Sequence, residues 1–168
     1  MNNPVIAGAA SKKSHLRKHG PLRTGMTVFP LLVLPVLIYI LMAVFSGKAD
    51  GTAVPAMQAS LDSAFFKMPM LSGAAWQFRA GDALLLFALV MLSVEIVKST
   101  STRSTAIVNH AASMMLLIFC LIGFLVFKSF ATSVFFFITM MSLLDVLAGV
   151  MVTIVSARRD FGVGDGFS

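Results

Sequence analysis

Charged residues are scarce in this chain. Asp, Glu, Lys and Arg together supply 12% of 168 residues, about half the share of roughly 25% that a soluble domain carries. With 58% apolar residues and a mean hydropathy of +0.91, this excludes both an ordinary soluble globule and a disordered chain. Cysteine is nearly missing. Cys120 stands alone, so there is no disulfide scaffold and no Cys-x-x-Cys pair. There is no Gly-rich phosphate loop and no nucleophile elbow. Of the three histidines, His15 and His19 lie in a basic stretch and only His110 in an apolar run, which gives no metal-ligand spacing. The sequence therefore reads as an integral membrane protein that is not an enzyme, with no cofactor and no metal.

Acidic residues are absent before Asp50, whereas Lys12, Lys13, Arg17, Lys18 and Arg23 crowd the first positions. An apolar run follows at once. Such a segment suits a cytoplasmic tail held by anionic lipid head groups. It lacks interleaved aromatics, which speaks against nucleic acid. The uncharged stretch Thr24–Gly47 is 24 residues long, beyond the 7–15 of a cleavable signal's apolar region. A retained anchor is expected, since Val44 and Ser46 offer only a weak cleavage site. No lipidation signature is expected: Asn2 is not a myristoylated Gly and Phe167-Ser168 offers no prenylated Cys.

A crossing needs about 20 apolar residues, and four stretches qualify: about Thr27–Phe45, Asp82–Ser99, Thr105–Phe127 and Thr132–Ala157. In the first, Pro30 fits the first turn, whereas Pro35 would kink the helix. In the second, Asp82 suits an N-cap and Lys98 can snorkel outward. Arg158 and Arg159 stop the fourth. The expected fold is thus an all-α integral membrane four-helix bundle. Residues 1–25 form a basic cytoplasmic tail, 26–157 the four-span domain and 158–168 a cytoplasmic C-terminal tail. Nine of the 13 cations then lie inside and four (Lys48, Lys67, Arg79 and Lys128) outside, as the positive-inside rule asks. The expected location is a bacterial inner membrane with both termini cytoplasmic.

In the outer loop, 47–81, Val54, Met57, Leu61, Phe65 and Met68 recur every three or four residues. This spacing predicts a short amphipathic helix ending near Pro69. Trp76 and Phe78, beside Arg79, suit interfacial anchors. The twelve methionines, scattered through the spans, read as flexible packing.

Three ionisable residues fall inside spans: Glu95, His110 and Asp145. Each costs about 2.5–3.5 kcal/mol at mid-membrane on insertion scales. Reflection about the connecting loops puts Glu95 and His110 at one depth and Asp145 roughly 6 Å deeper. Along the fourth span Thr139, Ser142, Asp145, Gly149, Thr153 and Ser156 form one small-and-polar stripe suited to close helix packing. On the third, His110, Ser113, Cys120 and Gly123 share a face with Asn109 alongside. The three ionisable residues could form a proton- or cation-responsive cluster, with His110 titrating near neutrality, or serve as interhelical glue. The outer half, expected to be lined by Phe119, Phe124, Phe135, Phe136 and Phe137, carries no titratable relay, which favours glue.

Asn109-His110, the Asp145 stripe and the run Ser156–Gly164, on a basic tail with four spans, resemble small uncharacterised four-span bacterial inner-membrane proteins. That resemblance covers most of the chain and implies no activity and no functional residues. The chain lacks the lone first-helix Glu of small multidrug transporters and the Arg-rich polar loop of membrane glutathione transferases. The expected function is a structural or accessory component of a membrane assembly, as a homo-oligomer or in a larger complex, with the stripe and the outer loop as contacts. The alternative is a small proton-coupled transporter using Glu95, His110 and Asp145.

Overall fold

The computed structural model describes residues 29–46, 53–99 and 105–162. The basic tail 1–25, the connection 100–104 and residues 163–168 lie outside the described residues, as do the side chains of Ser156, Arg158 and Arg159. The element order is α1 (Val33–Phe45), α2 (Ala53–Leu61), β1 (Ala64–Pro69), β2 (Ala75–Arg79), α3 (Ala80–Ser99), α4 (Thr105–Val126), a 3-10 turn (Lys128–Phe130) and α5 (Ser133–Gly162). Three helices are long and apolar enough to cross a membrane: Ala80–Ser99, Val108–Val126 and Ser133–Val155. Each exposes most of its apolar surface, as a helix facing lipid must.

The first stretch departs from expectation. Its helix has only 13 residues, about 20 Å at the helical rise, against a hydrocarbon core of about 30 Å. The prolines explain this. The helix starts at Val33, so Pro35 falls in the first turn, where a missing N–H breaks no internal bond. A late start thus replaces the expected kink, and Pro30–Leu32 form a tight turn in which Val33 N donates to Pro30 O at 3.1 Å.

Two further expectations change. Asp82 is not the N-cap of α3. It sits three residues inside, and its Oδ2 accepts from Arg79 N at 3.0 Å, the reciprocal half of a capping box. Arg158 and Arg159 end the apolar run but not the helix, which continues to Gly162, because arginine is a good helix former.

The outer loop is also not one amphipathic helix, so the chain is mostly helical rather than all-α. α2 ends at Leu61, where the Ser63 hydroxyl donates to Ser60 O at 2.8 Å. The chain then forms an antiparallel hairpin with a bulge between Ala64 and Phe66. Phe66 pairs with Phe78 and Met68 with Trp76 across the strands. Cross-strand aromatic contacts outweigh the three-to-four spacing that Phe65 and Met68 continue by coincidence. Met57 and Leu61 of the expected stripe are buried, whereas Phe65 and Met68 are exposed.

α5 is the central element and packs against both α3 and α4. Its inner face buries Phe135, Ile138, Thr139, Ser142 and Asp145. Leu32, Val36, Tyr39, Met57, Leu61, Leu84, Ala88 and Cys120 complete the core. Of the five phenylalanines expected to line the outer half only Phe135 is fully buried; Phe119, Phe136 and Phe137 face outward. The α2 helix covers the ends of the bundle. It packs on the 3-10 turn, α1 and α3, and Ser46 Oγ lies 2.9 Å from Ser60 Oγ. Gly81 permits this approach, since a Cβ there would stand 3.0 Å from Val134 Cγ2 and 3.4 Å from Leu61 O.

Candidate functional site

A buried polar cluster joins α3, α4, α5 and the turn before α1. Glu95, on the inner face of α3, is fully buried. Its Oε2 accepts from Leu31 N at 2.9 Å and from Lys98 Nζ at 3.0 Å. Its Oε1 accepts from Asn109 Nδ2 at 2.6 Å and lies 2.9 Å from Lys98 Nζ. Both oxygens are thus engaged by partners from three segments. Lys98 also donates to Phe29 O at 2.8 Å, so it turns inward rather than snorkelling out.

The cause lies in α1. Because its helix starts late, the Phe29 carbonyl and the Leu31 N–H have no helical partner, and buried backbone groups need substitutes. Glu95 receives the Leu31 N–H and Lys98 supplies a donor to the Phe29 carbonyl. The pair is net neutral, and its remaining bonding capacity completes the unwound turn.

Asp145 and His110 occupy neighbouring positions. Asp145 is buried on α5, with Ser113 of α4 within hydrogen-bonding range, and lies close enough to Glu95, Lys98 and His110 to interact electrostatically. The His110 ring rests on Gly149, one turn beyond Asp145. A Cβ at Gly149 would overlap His110 Nδ1 and stand 3.1 Å from Cε1. Among the described residues, three buried side-chain atoms have no hydrogen-bond partner: Asn109 Oδ1, His110 Nδ1 and Asp145 Oδ2. The Asn109 amide orientation follows from its neighbour, since only its NH2 can face the Glu95 carboxylate.

Glu95, His110 and Asp145 thus share a region, but no hydrogen bond joins any two of them. Among the described residues no three His, Cys, Asp or Glu side chains are grouped to hold a metal ion. Of the stripe, Thr139 and Ser142 are buried and donate to the carbonyls four residues back, at 2.9 and 3.1 Å. Thr153 does the same to Gly149 O at 2.9 Å but is exposed. Each hydroxyl is satisfied by its own helix, and Ser142 in addition lies within hydrogen-bonding range of the Cys120 thiol on α4. Thr139, Ser142 and Asp145 are buried within the chain, and Gly149 packs against His110 of α4. Ser156 lies outside the described residues.

Sequence reasoning misplaced Lys98 and gave no role to Tyr39 or Thr132. The Lys98 spacing, three residues after Glu95, was the available signal. Tyr39, the single tyrosine, donates to Ser129 O at 2.9 Å and meets Thr132 Oγ1 at 2.6 Å. Thr132 Oγ1 in turn accepts from Phe135 N at 3.2 Å, capping α5. A cavity of about 290 Å³ beside this latch is lined by Phe124, Ala131, Thr132, Ser133 and Phe136. The Thr132 hydroxyl in its wall is already engaged. Comparison with protein-family models, with curated proteins and with solved structures finds no match.

Proposed function

We propose that this is a multi-pass inner-membrane protein with both termini cytoplasmic, acting as a non-enzymatic structural or accessory component of a membrane assembly. In this reading α1 and the turn before it complete a fourth crossing of a four-helix bundle. The observation that carries it is the saturation of Glu95. An intramembrane carboxylate whose two oxygens are held by Leu31 N, Lys98 and Asn109 ties segments together and leaves no lone pair facing a pathway. Crosslinking in native membranes, followed by purification of the full chain, tests it. A dominant partner, or a defined homo-oligomer, in stoichiometric yield supports an assembly component; a monomer with no partner counts against it.

The second reading, a small proton-coupled transporter, is favoured by a different observation: the unpartnered atoms on Asn109, His110 and Asp145. It expects a pH-gradient-dependent flux in proteoliposomes that Asp145→Asn abolishes while the detergent-extracted protein keeps its melting temperature. No flux from the unmodified protein removes it.

A further inference from the structure

The hairpin is a ribbon with two unlike faces. Register places Phe66, Met68, Trp76 and Phe78 on one side and the Lys67–Gln77 pair on the other. The three rings form one cluster, with Phe66 and Phe78 stacked at 5.1 Å and Trp76 5.7 Å from Phe78. Much of this face is open: Phe66 and Trp76 are 46% and 47% exposed. The tip is no more polar. From Met68 to Trp76 the only hydroxyl or charged side chain is Ser72, and Leu71 is fully exposed. A turn that projects into water is ordinarily polar.

We propose that this hairpin lies in the interfacial layer of the bilayer its own helices cross, with Phe66, Met68, Trp76 and Phe78 turned to lipid and Met70–Leu71 at its leading end. The inference rests on the membrane reading above. Position favours lipid over a protein partner. β2 ends at Arg79 and the apolar helix α3 begins at Ala80, with no linker. Ala80 N donates to Ser63 O at 2.9 Å, and Arg79 N to Asp82 Oδ2, which fixes the hairpin root to the helix end. Trp76, four residues before α3, stays within about 13 Å of it at the strand rise. That is interfacial depth, where tryptophan is enriched. The helix that follows the hairpin directly also exposes apolar side chains, Leu86, Leu89 and Val90 among them. Depth is limited by the backbone. A two-stranded ribbon has unpaired outer edges, which hydrocarbon does not tolerate, so it rests among head groups and the first acyl carbons, as interfacial elements do.

Trp76 is the single tryptophan, so the unmodified full chain reports its own position. The protein is reconstituted in phosphatidylcholine vesicles, washed with carbonate, and its fluorescence followed. The expected result is strong quenching by lipids brominated near the head group, weaker quenching by lipids brominated deep in the chain, and little by acrylamide supplied on both sides. Free access of acrylamide with no quenching by brominated lipid overturns the proposal and points to a protein partner. Shielding that disappears as the chain is diluted with lipid also overturns it, in favour of a second copy. Leu71→Asp should raise acrylamide quenching several-fold while the protein stays in the washed vesicles; unchanged quenching removes the tip from the contact. Release of the unmodified protein by carbonate would instead overturn the membrane reading itself.

Discussion

Glu95 shows how one residue type takes opposite roles according to what surrounds it. An isolated carboxylate in a span is costly. Here it is matched by Lys98 and bonded by an amide and a backbone N–H. Removing one partner of such a buried pair costs about 3–5 kcal/mol, since the other charge stays behind. Glu95→Leu is therefore expected to lower stability in detergent by that order, read from thermal unfolding. Adding Lys98→Met should recover part of the loss. Gly149 is a second residue-scale constraint. Gly149→Ala drives a methyl into the His110 ring, at about 1–3 kcal/mol by the usual penalty for overpacking. The same substitution in a His110→Ala background should cost much less, and equal losses in both backgrounds would show that the ring is not the obstacle.

At the scale of elements, caps and turns decide where each helix begins. Thr132 serves twice, as the α5 cap and as the Tyr39 partner. Thr132→Ala should cost about 1–2 kcal/mol and Tyr39→Phe about 1 kcal/mol. The double variant should fall short of their sum, because both changes remove one shared contact. The hairpin turn depends on Gly73, whose φ of 81° lies in the left-handed region with open space around it. Gly73→Ala should loosen the turn by about 1 kcal/mol through backbone strain alone, detectable as faster amide exchange at Met70, which donates across the turn to Ala74 O.

At the scale of the whole molecule, the open quantity is the parity of crossings. Three helices are long enough to span by themselves; α1 needs residues 29–32 to complete the distance. If α1 crosses, tags on the two ends label from the same face of the bilayer; if only three helices cross, they label from opposite faces. Same-face labelling is expected, because Glu95 and Lys98 supply bonding partners to the turn that extends α1. Protease protection of each tag in inverted vesicles is the measurement.

The sequence by itself determined the three long apolar helices, to within a few residues at most ends, and that they carry Glu95 and Asp145, both of which are buried. Hydropathy over 20 residues is a property of composition, and a buried Glu or Asp stands out against it wherever it points. What the sequence could not determine was pairing. Periodicity extended α2 through Phe65 and Met68, because a local pattern contains no cross-strand partner, and only the approach of Phe78 and Trp76 made that stretch a strand. Likewise reflection could bring Glu95, His110 and Asp145 into one region of the chain, with Asp145 about a turn away from the other two. Whether they touch depends on helix rotation, and that is set by packing: the Gly149 gap holds His110, and the late start of α1 brings Leu31 N to Glu95. Depth follows from distance along the chain, whereas contact follows from which faces the folded helices turn to one another.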